Sequence, residues 1–227
     1  MTAIGTRGSS SHGGHGGGGP PFVRTGRDQL APWRDNATAF QQILRDTGYT
    51  PEQARIAQEA QIRFYGDDYD TFTSGDLPHE TEIISEALMR MPYYNAGTIY
   101  RGISMPSADA QRIFLDHWKP GTVQMFTDKA GKGTGIVQSF SSKESVANSF
   151  GNWEWTSRGD TSIKFILDDN KTAPGVQHIS KFGAREAEVL SPSYHQFYVD
   201  RVVQMPDSRY GGQRYEIHLK DRGRKKK

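Results

Sequence analysis

Residues 214–219, RYEIHL, put Tyr215, Ile217 and Leu219 on one side of an extended chain and Glu216 and His218 on the other. Side chains of a strand point alternately to its two faces, so this stretch predicts a strand with one dry face and one wet one. Five similar short runs precede it after Gly121: TVQMF (122–126), GIVQSFS (135–141), TSIKFIL (161–167), AEVL (187–190) and QFYVDRVV (196–203). A single helical stretch, SKESVANSF (142–150), interrupts them, with Ser142 as its expected cap.

The half of the chain before Gly121 reads differently. DNATAFQQILRDTG (35–48) has Asp35 or Asn36 to cap a helix and Gly48 to end it. TPEQARIAQEAQIRFYG (50–66) carries the capping-box spacing Thr50 to Gln53 and Pro51 at the first helical position. HETEIISEALMRMP (79–92) gathers Ile83, Ile84, Ala87, Leu88 and Met91 on one face and stops before Pro92. SADAQRIFLDHW (107–118) follows Pro106, with Ile113, Phe114 and Trp118 as its expected buried side. Helices first and strands later, without βαβ alternation, predict an α+β fold: an N-terminal helical layer followed by a mainly antiparallel sheet.

Composition bounds what surrounds this core. The 227-residue chain has room for one substantial domain, and its net charge of +2 does not call for a nucleic-acid partner. With no cysteine there is no disulfide, no thiolate metal site and no cysteine nucleophile. Residues 1–27, rich in Gly and Ser and containing Pro20-Pro21, read as a flexible linker, and 28–220 as a single domain. The segment DRGRKKK (221–227) reads as a solvated basic tail. The opening residues lack the apolar core of a classical signal peptide, and no run is long enough to span a membrane. His12 and His15 read as linker residues, and the remaining histidines form no ligand spacing, so no metal is expected. The glycine cluster GKGTG (131–135) has no Ser or Thr after its Lys and reads as a hairpin loop rather than a phosphate loop.

Three short stretches carry the chemistry. In GTIYRGISMP (97–106), Arg101 stands in an apolar run where its guanidinium either reaches solvent or meets an anion. In GIVQSFS, Ser139 and Ser141 share one face of a strand just ahead of the helix. In KFGAREAEVLSPS (181–193), Glu186 and Glu188 are two apart; on a strand they would face one space, roughly 7 Å apart. An isolated pair of this kind is also what a charged, exposed strand end looks like.

Taken in this order, Tyr100-Arg101-Gly102, Ser139-Phe140-Ser141 with SKESVANSFG behind it, and Glu186-Ala187-Glu188 resemble the R-S-E class of mono-ADP-ribosyltransferases. That family has an aromatic-Arg motif, an S-T-S motif leading into a helix with Ala and Phe, and an E-x-E motif; the lead-in EALMRMPYYNAGTIYRG (86–102) is similar too. The resemblance covers roughly residues 80–220 and departs at Phe140, where the family usually has Thr. It implies the ADP-ribosyltransferase fold with a split sheet, and NAD as co-substrate. Glu188 would be the catalytic carboxylate on the ribose, with Ser139 orienting it and holding NAD. Arg101 would meet the phosphates, Gly102 the nicotinamide carboxamide, and Ser141 would complete the cofactor pocket. Glu186 would serve an arginine acceptor on a target protein, which Phe182 would contact from a recognition loop.

Trp153 and Trp155 lie in FGNWEWTSRGD (150–160), the stretch corresponding to a loop over the nicotinamide and phosphates, and packing is their expected role. The family context further implies a secreted or injected toxin-like effector acting in a target-cell cytosol, with a carrier or secretion apparatus and an immunity protein as partners. An NAD glycohydrolase, using water as acceptor in the same pocket, is the alternative reading. A catalytically silent binding module acting through the basic tail is the alternative of another class.

Overall fold

Ile99, Ile103, Ile163, Phe165, Leu167, Phe197, Val199, Ile217 and Leu219 alternate along their strands and are all buried, so the dry faces meet in one core. They belong to a computed structural model that describes residues 93–127, 135–176 and 183–225, together with Glu82, Ser85, Leu88 and Met89. The first two expected helices, the 1–27 segment and Phe182 lie outside the described residues. Of the third expected helix, Glu82, Ser85 and Leu88 are helical, and Leu88 is buried as expected. Among the described residues no helix is long and apolar enough to cross a membrane.

The strands are β1 (Ile99–Pro106), β2 (Val123–Gln124), β3 (Gln138–Ser141), β4 (Asp160–Leu167), β5 (Glu188–Ser191), β6 (His195–Met205) and β7 (Gln213–Arg224). They form one seven-stranded sheet in the order β2-β6-β7-β4-β1-β3-β5. Every pairing is antiparallel except β4 with β7. The expected strand runs are therefore all present, in the expected mixed α+β arrangement. β1 and β4 pair along their full lengths, from Ile99 opposite Leu167 to Pro106 opposite Asp160. β1 and β3 pair only at Tyr100 opposite Ser141. The sheet is thus split: five strands on one side of that junction, and the β3–β5 pair on the other.

Within residues 93–225, the described short helices that attach to this frame are α1 (Ser107–Ala110), α2 (Glu144–Phe150) and α3 (Gly183–Glu186). α1 runs on through a π-helical turn, Gln111–Leu115, closed by the Asp116 amide on the Gln111 carbonyl at 2.9 Å. The extra residue in that turn shifts the helical phase. Ile113, expected to be buried, is accordingly exposed, whereas Trp118 is buried among Phe114, Phe126 and Phe165.

α2 rests on β1 at Gly102. A Cβ there would stand 1.8 Å from the Ala147 carbonyl oxygen and 2.8 Å from the Gly151 nitrogen, both backbone atoms that cannot swing away. Gly102→Ala is therefore expected to push α2 off the sheet, at a cost on the order of 3 kcal/mol or more for an overpacked site. Thermal unfolding would read this as a fall of about 6–12 °C in Tm. An unchanged Tm would show that α2 is not seated there.

β7 continues through Arg224, so residues 221–224 are strand rather than the start of a tail. Asp221 explains why. Its carboxylate lies 3.0 Å from His195 Nε2 and accepts hydrogen bonds from Thr172 Oγ1 at 2.9 Å and from the amides of Lys171 and Gly223. Burial pushes this carboxyl up, but His195 and the two amides more than compensate and hold it at about 2. A sequence rich in charge there carries a buried anchor.

Candidate active site

The β3–α2 corner and the start of β5 bring the sequence-derived residues together. β3 pairs with β5 in the register Ser141 opposite Glu188 and Ser139 opposite Leu190, so Ser139, Ser141 and Glu188 share one face. Ser139 Oγ donates to Glu188 Oε1 at 2.5 Å across the diagonal of this pair. Arg101 Nη1 donates to the Ser139 carbonyl at 2.7 Å, across the place where β1 and β3 part. Arg101, Ser139 and Glu188 are thus joined by two successive hydrogen bonds, although 38 and 49 residues separate the partners in sequence. The Arg101 guanidinium also lies 5.6 Å from the centre of the Phe126 ring.

Glu188 is held at both its ends. It is 3 % exposed, and its carbonyl accepts from the Val176 amide at 2.9 Å. Bridges from Gly175 to Val189, and from the Leu190 amide to the Pro174 carbonyl, cover the outer edge of β5. A carboxylate on a strand fixed from both edges cannot drift as one on a loop would.

Glu186 departs from expectation. The two glutamates do not alternate along a strand: Glu186 ends α3, Ala187 takes a left-handed backbone with φ 46°, and β5 begins at Glu188. Glu186 is 8 % exposed, and its Oε1 has no hydrogen-bond partner among the described residues. Burial first, and the neighbouring Glu188 charge second, push its carboxyl up to about 7, against the opposing pull of Arg185. Here are two acids in one site with different environments, the usual basis for giving two carboxyls different tasks.

Ser141 is buried and occupied within the protein. Its hydroxyl donates to the Glu186 carbonyl at 2.6 Å and accepts from the Lys143 amide at 2.9 Å. The expected Ser142 cap of α2 is not formed: Lys143 precedes the helix without a side-chain cap, and Ser142 turns instead to the Ala187 carbonyl, through its amide at 3.1 Å and its hydroxyl at 3.4 Å. Phe140 points away from both serines into the core, against Phe126 and Phe197 with ring centres 6.1 and 6.0 Å away. The departure from the family's Thr therefore falls on the core side of β3.

Lys164 escaped the sequence reading. It is buried under α2, paired with Glu144 Oε1 at 2.6 Å and Glu216 Oε1 at 3.1 Å, with its ammonium 4.3 Å from the Trp153 ring centre. It ties the start of α2 to the sheet beside the site. The signal was a lone Lys inside the apolar run TSIKFIL, a place where only a paired charge is tolerated. Trp153 is buried as packing, and Trp155, 54 % exposed, stacks on Tyr210 with Arg209 4.3 Å above its ring. The described contacts of the two tryptophans do not include Arg101, Ser139 or Glu188.

This seven-stranded split sheet has the ADP-ribosyltransferase fold, and solved structures with that fold resemble this chain. One is the ADP-ribosyltransferase Vis of Vibrio splendidus, determined with an inhibitor: 16 % identity, 87 % of each chain covered, TM-score 0.53. Another is the enzymatic component C2-I of the Clostridium botulinum C2 toxin, at 16 % identity and TM-score 0.50, covering 88 % of this chain and 48 % of that one. No protein-family model and no curated protein matches the sequence.

Proposed function

We propose that this chain is an NAD-dependent mono-ADP-ribosyltransferase that modifies arginine side chains of a target protein. The observation that carries the reading is the buried Glu188 carboxylate, held by Ser139 Oγ at 2.5 Å on a strand whose partner residue Ser139 also receives Arg101. NAD joins nicotinamide to ribose through a cationic nitrogen. When that bond breaks, its electron pair leaves with neutral nicotinamide and the positive charge passes to the ribose. A fixed carboxylate beside the ribose stabilises this charge where it develops, with no reorganisation needed at the moment of reaction. Glu188 takes that task, and Ser139 sets its direction.

Arg101 meets the phosphates, its planar fork suiting their oxygens. Gly102, at the point where β1 and β3 diverge, offers backbone to the carboxamide. Ser141 supports the pocket from beneath through its bond to the Glu186 carbonyl. The Glu186 carboxyl, whose buried Oε1 has no hydrogen-bond partner among the described residues, receives the acceptor guanidinium and takes the proton that its nitrogen releases on forming the new bond to ribose. Phe182 contacts the target protein. The catalytic domain spans 28–220 with its last strand continuing to Arg224, and the protein works as a toxin-type effector inside a target cell.

Radiolabelled NAD, with the label in its ADP-ribose part, tests the reading when incubated with the protein and a cell lysate. Transfer of label onto protein arginine is expected. Nicotinamide release without labelled protein would instead establish a glycohydrolase, and neither product would leave a binding module. Arg101→Lys keeps the charge but loses the fork, and is expected to weaken NAD binding by about 1.5–3 kcal/mol, on the scale of a charge-assisted hydrogen bond. Calorimetric titration with NAD measures it, and wild-type affinity in a folded variant would remove Arg101 from the phosphate role.

A further inference from the structure

The residue between the two glutamates has an uncommon backbone. Ala187 adopts φ 46°, a region that a side chain with a Cβ disfavours and that Gly or Asn accepts readily. The conformation is enforced from the β3–α2 corner: Ser141 Oγ donates to the carbonyl of Glu186, and the Ser142 amide donates to that of Ala187. Ala187 is itself buried, so the turn cannot relax outward. With an extended residue 187, β5 would continue back through Glu186, which would then fall on the same strand face as Glu188. With the left-handed turn, Glu186 is turned off the strand into an enclosed position while Glu188 stays under the control of β3 and Ser139.

We infer that the left-handed backbone of Ala187 sets the direction of the Glu186 carboxyl relative to Glu188, and so makes Ala187 a positioning residue that fixes the ratio of protein modification to NAD hydrolysis. The inference rests on the transferase reading above. Hydrolysis uses water and needs the ribose carboxylate alone; transfer also needs the second carboxyl aligned with the incoming nitrogen, and misplacement by an ångström is enough to disable such a step. Among the described residues, the charged groups acting on Glu186 are Glu188 from β5 and Arg185 from α3, so its titration reports whether it keeps this place.

The test compares Ala187→Gly, Ala187→Asn and Ala187→Val in the full chain. Two quantities are read: the ratio of labelled protein to nicotinamide released, and the titration of the Glu186 carboxyl by carbon-13 NMR. Gly and Asn both accept the left-handed region, and Asn is close to Val in size, so the pair separates backbone conformation from volume. Both are expected to keep the ratio within about twofold and to leave Glu186 titrating far above ordinary carboxylates. Val is expected to lower the ratio on the order of tenfold or more and to return Glu186 toward the ordinary range. Should Val prevent folding, Ala187→Thr repeats the branched substitution.

An unchanged ratio and titration in the branched variant would overturn the inference, as would an equal loss in Asn, which would make volume the cause. Equal loss of transfer and hydrolysis in the branched variant would also overturn it, by showing that the turn serves Glu188. A wild-type chain that cleaves no NAD overturns the enzymatic reading and the ratio with it; the carboxyl titration then still decides whether the Ala187 backbone holds Glu186.

Discussion

Glu188→Gln is expected to lower NAD cleavage and protein labelling together, by about two to three orders of magnitude. Gln keeps the shape of the side chain and can still meet Ser139, so β3 and β5 remain paired in register. What disappears is the negative charge facing the ribose, and in a site closed to water such a charge stabilises a cationic transition state by about 3–4 kcal/mol. Nicotinamide release and radiolabel transfer, measured on the same folded preparation, check the result. A variant that retains either reaction at wild-type rate would show that the charge lies elsewhere.

Glu186→Gln is expected to separate those two reactions. Labelling of protein should fall by about a hundredfold or more, the range of a lost general base, while release of nicotinamide to water largely persists. Loss of both reactions to the same degree would contradict the assignment. The same substitution has an opposite effect on stability. With its carboxyl raised from 4.5 to about 7, folded Glu186 releases its proton later than the unfolded chain does. The stability it contributes is full below pH 4.5 and is lost as pH rises through 7. Gln has no such loss, so the variant should gain on wild type between pH 5 and 8 in urea unfolding, becoming more stable as it becomes less active. The same titration makes transfer rise with pH through about 7, as the acceptor carboxyl becomes able to take a proton.

Alternating strands are the part of this protein that sequence exposes most plainly, because a half-buried strand repeats its pattern every second residue. All six runs after Gly121 and the Arg101 strand lie in the sheet. The order Arg101, Ser139, Glu188 was legible only through family resemblance, since nothing local says that a serine on β3 will reach a carboxylate 49 residues later. The placement of Glu186 was not legible: two glutamates around an alanine read as a strand, and alanine carries no preference for the left-handed turn that the Ser141 and Ser142 bonds impose. Ile113 was misplaced because a π-helical turn leaves no mark on a helical pattern. The end of β7 was missed because DRGR looks solvated, and the partners that bury Asp221, His195 and Thr172, come from distant strands and turns.

The parallel pairing of β4 with β7 has a consequence for how the chain is made. β7 is the last of the described strands, yet it stands inside the sheet, between β6 and β4. As the polypeptide leaves the ribosome, β4 and β6 are complete before the strand that joins them exists, and each presents an open edge to solvent. Non-local pairing of this kind is slow to form and exposed to misassociation while it waits. The five described strands on that side of the split cannot join into one sheet until residues 213–224 have emerged, so the strands behind Arg101 wait for β7.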